Sequence, residues 1–300
     1  MLTSTIACAT PRVLLRAAEV PVHNRYLGLS ATRTRGEESS SPAGLHRRPW
    51  LERLRRAVTE DLFELHYQPI VPLRDRSRNG PASHYEALVR LADEPDGRLV
   101  APGRFLPAAE RYGLIRHIDR IVLGKVLALL ASGNAPPGVC IAVNLSALSI
   151  TDENMLADIE NGLALSGVDP GRLIIEVTET ASISDMERAR RFCAGVQTLG
   201  CSVALDDFGA GFGSFQYLKN LPFRYLKIDG DFIRALPQSP NDQLVVKALV
   251  GVVKGMGAMT IAEFVGDEET MALLRRYGVD YAQGYAVGRP QPVLALAAAA

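Results

Sequence analysis

Three hundred residues, 47% hydrophobic and 22% charged, make a chain too apolar for disorder and too charged for a membrane bundle. Lys+Arg and Asp+Glu each total 33, but unevenly: residues 1–50 hold seven Arg and three Glu, leaving 26 basic against 30 acidic groups in residues 51–300. That acidic surplus argues against wrapping a DNA or RNA polymer, which requires a basic face, yet it permits a small phosphate ligand if cations help.

Residues 1–48 read as a disordered leader, because Ala31 to Pro42 is rich in Arg, Ser, Thr and Glu with little to bury. Pro11, Arg12 and Arg16 stand where a signal peptide needs an apolar stretch, so a cytoplasmic protein is expected. A single folded domain over residues 49–295 is expected to follow the leader.

From Trp50 onward, helix-period and strand-like segments alternate. Leu51–Asp61 reads as a helix. Phe63–Val71 and Tyr85–Leu91 read as strands joined across the turn dipeptide Asn79-Gly80, too short a link for a crossover helix, so these two should pair antiparallel. A helix near Ile118–Ala131 leads to the strand Val139–Asn144, and one near Glu153–Ser166 leads to Leu173–Val177. Met186–Leu199 reads as helix before the strand Ser202–Asp206, and Tyr225–Ile228 follows as the next strand. Then come a helix near Gln243–Met256, the strand Met259–Glu263, a helix near Glu268–Tyr277 and the strand Val279–Gln283. Eight short strands, apolar on both faces with helices between nearly all, predict an α/β fold: a closed TIM-like (β/α)8 barrel with an antiparallel first strand. No Gly-rich dinucleotide turn favours an open sheet. The apolar runs at Leu244–Val265 and Ile121–Ala131 are interrupted by Lys247, Lys254 and Lys125, so no membrane span is expected. The four cysteines, Cys8, Cys140, Cys193 and Cys201, form no CxxC pair and read as buried thiols.

Polar residues recur at the carboxyl ends of these strands: Glu86, Asn144, Glu176, Asp206 with Asp207, Lys227, Glu263 and Gln283. In a β/α barrel that end holds the active site. Strand alternation puts Ile174 with Glu176, Ala204 with Asp206, and Ile261 with Glu263 on shared faces, so the oxygens converge on one axial mouth. Taken singly, Asn144 could cap a helix, Asp206-Asp207 could mark a turn and Lys227 could be a salt-bridge partner; the joint placement on successive strands argues otherwise. So many carboxylates repel unless a cation neutralises them, and an all-oxygen set points to hard divalent ions such as Mg²⁺ or Mn²⁺ rather than zinc.

The string Tyr85-Glu86-Ala87-Leu88-Val89-Arg90 resembles the signature of EAL domains, the cyclic di-GMP phosphodiesterases. The resemblance extends in order through Tyr67-Gln68-Pro69-Ile70-Val71, the segment Pro102–Glu110 with Gly113-Leu114-Ile115, Val143–Ser146, Glu176–Glu179, Asp206–Gly209, Lys227–Asp229, Ala262-Glu263, and Gln283–Tyr285 with Pro290. It implies a barrel that hydrolyses cyclic di-GMP to linear pGpG with two divalent cations, Mg²⁺ or Mn²⁺, and that forms a homodimer. Carried over by motif, Glu86, Asn144, Glu176 and Asp206 would be metal ligands with Asp206 bridging. Asp207 would complete the second metal and Glu263 would hold a metal or the nucleophilic water. Lys227 would sit beside that water, stabilising or deprotonating it. Gln68 and Arg90 would contact guanine and phosphate, Gln283 would fix the far side, and Glu179 would brace the loop after Asp207.

The sequence departs from the family in two places. Where the family usually has Ala-Glu-Gly-Val-Glu, this chain reads Ala262-Glu263-Phe264-Val265-Gly266, and its loop Ala210–Gly213 lacks hydroxyls the family often has. These departures keep open an alternative: a weak or inactive EAL barrel serving as a cyclic di-GMP receptor or a protein-docking module.

Overall fold

The computed structural model describes residues 48–73, 84–92, 97–178, 185–209 and 214–292. The expected leader up to residue 47, the Asn79-Gly80 turn, Glu179 and the loop 210–213 lie outside the described residues. Helix α1 (Arg48–Glu60) leads into β1 (Phe63–Pro72) and β2 (His84–Leu91), followed by α2 (Pro102–Arg111) and α3 (Ile115–Ala131). Then come β3 (Cys140–Leu145), the single turn α4 (Ala147–Ile150), α5 (Met155–Ser166) and β4 (Leu173–Thr178). Helix α6 (Met186–Thr198) precedes β5 (Ser202–Phe208), and α7 (Ser214–Asn220) precedes β6 (Tyr225–Ile228). The chain continues through α8 (Gly230–Ile233), α9 (Pro240–Gly255), β7 (Met259–Ala262), α10 (Glu268–Tyr277) and β8 (Tyr281–Gln283).

The eight strands close in chain order into a barrel. β1 runs antiparallel to both neighbours, β2 and β8, while every other pair is parallel. This is the expected TIM-like architecture with its inverted first strand. Strand ends differ from the sequence reading by a few residues; β8 begins at Tyr281 rather than Val279, and β7 ends at Ala262, just before Glu263. The turns α4 and α8, and helix α2 with Pro107 inside it, went unread because a single turn has no periodicity and an internal proline masks one.

Side-chain alternation splits the barrel interior into two levels. The lower level packs Ile70, Ala142, Ile174, Ala204, Tyr225 and Ile261, all buried. At the floor, His84 lies 3.1 Å from the Tyr225 hydroxyl, and the rings of His84, Tyr225 and Tyr281 meet edge to face. Burial takes His84 down to about 4, so the imidazole is neutral there. The strands' outer faces pack against the helices: Ile141, Val143, Ile175, Val177, Val203 and Leu205 are buried between sheet and helix layer. The second level, two residues further along each parallel strand, is polar. An apolar plug thus seals the barrel beneath a polar mouth, and no helix among the described residues is long and apolar enough to cross a membrane. Cys193 and Cys201 are buried free thiols as expected, whereas Cys140 is only half-buried.

One glycine fixes the rim. Gly284 follows β8 with φ +151°, and a Cβ there would sit 2.3 Å from both the backbone N and O of Val265. Val265 N donates to the Gln283 carbonyl and Ala286 N to the Val265 carbonyl, so the segments leaving β7 and β8 are laced together at this point. Backbone cannot give way as a side chain can. Gly284→Ala is therefore expected to cost roughly 2–4 kcal/mol of stability, read as a lower urea midpoint with unchanged slope; a midpoint within error of the parent would show that the rim relaxes freely.

Candidate active site

The second level of the barrel is a ring of polar side chains around one lysine. Lys227, 1% exposed on the buried strand β6, directs its Nζ at four carboxylates. It lies 2.9 Å from Asp206 Oδ1, 2.9 Å from Glu263 Oε1, 3.0 Å from Glu176 Oε2 and 3.4 Å from Glu86 Oε2. Burial alone would discharge the ammonium, but Asp206, Glu176, Glu263 and Glu86 outweigh it and hold the group charged well above the usual lysine range. The register explains the convergence: Asn144 pairs with Glu176 across β3 and β4, Gln68 faces Glu86 across β1 and β2, and Lys227 opposes Ile261 across β6 and β7.

The carboxylates do not share the lysine equally. Burial pushes Glu86 up, but Lys227 and donors from Gln283 and Asn144 bring it below its usual value. Asn144 Nδ2 donates to Glu86 Oε1 and Gln283 Nε2 to Glu86 Oε2, both at 2.6 Å. Gln283 Nε2 also reaches Gln68 Oε1 at 3.2 Å, and Gln68 Nε2 donates to the Gly288 carbonyl. Glu176 is fully buried and raised well above the ordinary range by burial and by the Glu86 charge. Its Oε1 has no hydrogen-bond partner. Burial likewise lifts Glu263 to about 8, with Asp206 and Glu86 adding to the rise against the pull of Lys227.

Asp207 stands apart. Successive strand residues face opposite ways, so plain alternation would turn Asp207 away from Asp206. Instead the β5–β6 register shifts between Leu205 and Phe208, and Asp207 takes φ +56°, a left-handed backbone that Asp tolerates better than most residues. The kink re-aims the chain so that oxygens of Asp206, Asp207 and Glu263 all lie within 4.8 Å of one another. Asp207, exposed at the rim, is raised to about 6 by partial desolvation and by Asp206 beside it.

This donor set fits a divalent cation. All donors are oxygen, one buried carboxylate oxygen is unpartnered, and the raised carboxyls mark a surplus of negative charge that one lysine does not cancel. Arg90, half-buried on β2, donates to the Val89 carbonyl and lies close enough to Glu86 to feel its charge. Thus Glu86, Asn144, Glu176, Asp206, Lys227, Glu263 and Gln283 come together as read from the sequence; Asp207 joins them through the kink, and Gln68 through Gln283.

One contributor was not read from the sequence. Asp119 on α3 is buried, and its Oδ2 accepts from Ser146 N at 3.0 Å, Ser146 Oγ at 2.7 Å and Ser149 Oγ at 2.6 Å. It pins the chain two residues beyond Asn144. An Asp within an apolar helix pattern gave no signal of this, since the partner segment is remote in sequence.

Residues 51–290 match the EAL domain family. This chain belongs to that family. The EAL barrel is 38% identical over 245 residues to the cyclic di-GMP phosphodiesterase PdeB of Shewanella oneidensis, a match covering 81% of this chain and 28% of that protein. Among solved structures it resembles the PaMucR phosphodiesterase in its c-di-GMP complex, with TM-score 0.76 and 35% identity over 83% of this chain and 99% of that one. It also resembles the FimX EAL domain from Pseudomonas aeruginosa bound to c-di-GMP, with TM-score 0.74 and 31% identity over 81% of this chain and 96% of that one. The EAL barrel spans about a third of the length of the curated relatives it matches.

Removing the lysine tests the electrostatics directly. Lys227→Met leaves four buried carboxylates uncompensated and, with chelator present at pH 8, should cost about 3–5 kcal/mol, the range for breaking a buried pair from one side. Without the lysine, Glu176 and Glu263 lose the charge that pulls their pKa values down and rise further above their unfolded values, so the folded variant binds extra protons as pH falls. The deficit relative to the parent should therefore shrink as pH falls from 8 toward 5. A pH-independent deficit would mean the loss is packing rather than charge.

Proposed function

We propose that this barrel is a metal-dependent phosphodiesterase that hydrolyses cyclic di-GMP to linear pGpG. The observation that carries the reading is the oxygen-lined mouth, with buried Lys227 bridging Asp206, Glu176, Glu263 and Glu86, in a chain whose relatives are named cyclic di-GMP phosphodiesterases.

Hydrolysis of a phosphodiester is slow because the anion repels hydroxide and the alkoxide leaves poorly. Two divalent cations, Mg²⁺ or Mn²⁺, supply hydroxide at neutral pH and neutralise developing charge when bound. In our reading Glu86, Asn144, Glu176 and Asp206 would hold one ion, Asp206 would be shared with the other, Asp207 would complete that second site, and Glu263 would hold a metal or the nucleophilic water. Lys227 keeps the carboxylates gathered and places a cationic donor where an attacking water would be stabilised; held charged, it is not the base that deprotonates that water. Arg90 offers a forked donor to a phosphate at the rim, a role its planar guanidinium suits. Gln68 and Gln283, already linked, fix the orientation of Glu86 and line the side facing a guanine. By motif, Glu179 would brace the loop that follows Asp207; Glu179 and residues 210–213 of that loop lie outside the described residues.

The deciding experiment is incubation of the purified chain with cyclic di-GMP and Mg²⁺ or Mn²⁺. Linear pGpG should form, and excess chelator should stop it. Asp206→Asn removes the bridging charge, felt most where charge builds in the transition state, so turnover should fall about three orders of magnitude, roughly 4 kcal/mol. Arg90→Ala should act on the bound phosphate instead, weakening substrate binding by about 1.5–3 kcal/mol. Tight binding of cyclic di-GMP without product, in a wild type that Asp206→Asn leaves unchanged, would establish a receptor instead. Undiminished turnover in chelator would sink the metal assignment.

A further inference from the structure

The residue after Glu263 is unusual in three ways at once. Phe264 has φ +52°, a left-handed backbone that a bulky side chain rarely adopts and that costs free energy. Its side chain is nevertheless 55% exposed, so burial of the ring does not repay that cost. And the exposed ring is supported from below. A Cβ on Gly230, the first residue of α8, would lie 2.3 Å from Phe264 Cδ2, so the ring rests directly on that glycine. One turn further on, the Arg234 guanidinium carbon lies 4.1 Å from the ring centroid, a cation–π stack that holds the ring in place.

A strained, exposed and braced aromatic ring one residue beyond a site carboxylate is built to meet something outside the chain. We propose that Phe264 is a specificity-determining platform on which a purine base of the bound nucleotide stacks. This rests on the proposed cyclic di-GMP reading of the site. The placement is right for it. The kink at Phe264 leaves Glu263 Oε1 against Lys227 inside the mouth while turning the next side chain out onto the rim. A dinucleotide whose phosphodiester is held at the carboxylate ring would bring a base within reach of that rim. The ring offers a π-face, and the arginine adds a positive field that favours the electron-rich edge of guanine. An aliphatic residue would supply area without the stacking geometry, and the glycine usual in the family would supply neither.

The test uses the full chain. Affinity for cyclic di-GMP is measured by calorimetry with Ca²⁺ as the ion, and KM with Mn²⁺, for Phe264→Ala, Phe264→Leu and Phe264→Trp. Stacking on a single aromatic predicts about a tenfold weakening for Phe264→Ala, a comparable loss for Phe264→Leu, and recovery in Phe264→Trp. In a Trp50→Phe background, Phe264→Trp places the sole indole of the chain on the rim, and its emission should be quenched saturably by cyclic di-GMP, with the midpoint given by calorimetry. Phe264→Leu binding like wild type would overturn the proposal, as would an unquenched indole in a variant that binds. Tighter binding and faster turnover in Phe264→Ala would overturn it too, marking the ring as an obstruction. A wild type that neither binds nor cleaves cyclic di-GMP would overturn the functional reading itself, an outcome distinct from loss of the aromatic preference alone.

Discussion

A single buried ammonium among four buried carboxylates is the constraint from which the mouth of this barrel follows. Neither side of that cluster is tolerable alone. A lysine 1% exposed would shed its proton, and carboxylates crowded at this depth would take protons up. Together they reach a state in which the lysine is held charged and Glu86 is drawn below its ordinary value, while Glu176 and Glu263 are raised. The imbalance is informative. A cluster built only to stabilise the fold would match its charges, or use an apolar layer like the one beneath it. This one stays net negative above a dry plug of Ile70, Ala142, Ile174, Ala204 and Ile261, an arrangement suited to a cation that comes from outside.

Backbone irregularities occur where that cluster needs them. The register shift in β5 and the left-handed Asp207 turn two consecutive side chains to one side, which a regular strand forbids. Phe264 repeats the device at the end of β7, keeping Glu263 inside and sending its neighbour out. Gly284 closes the last strand against the backbone of Val265 with no room for a side chain. All three lie at the carboxyl ends of strands, where local rules are broken in favour of a site.

The same distinction decides what the sequence could reveal. Barrel strands buried on both faces read as short apolar runs, and the one polar residue closing each run had no structural excuse, so Glu86, Asn144, Glu176, Asp206, Lys227 and Glu263 were legible from pattern and motif. The antiparallel β1 was legible because the link to Tyr85 is too short for a crossover. Asp207 was legible from its motif but not from the strand pattern: period-two alternation sends it outward, and only the bulge, a property of pairing between strands, brings it back. Asp119 stayed hidden for a related reason. Its partners Ser146 and Ser149 lie on a segment that the helix pattern of α3 does not anticipate. Residues acting through long-range geometry leave little trace in a local reading, whereas residues acting from a periodic scaffold leave much.

The charge of the cluster also links the two candidate modes of action. A cyclic dinucleotide carries two phosphates, and bare carboxylates with a fully engaged lysine would repel them. In the proposed reading, cation loading and nucleotide binding would therefore be thermodynamically coupled, each raising the affinity for the other by the same factor. That holds whether the barrel cleaves its ligand or only senses it, since the repulsion belongs to the ground state. Catalysis requires something further, a water held in line and a transition state bound more tightly than the substrate. In the proposed mechanism Lys227 is the residue on which that difference would turn. Its contacts to Glu176, Asp206 and Glu263 are all 3.0 Å or shorter, so it serves a water only to the extent that cations relieve it of those carboxylates. On the proposed mechanism, a barrel with its full carboxylate ring would retain cations and nucleotide yet turn over slowly if Lys227 were not released, which would put the boundary between receptor and enzyme at one ammonium group rather than at the presence of the ligands.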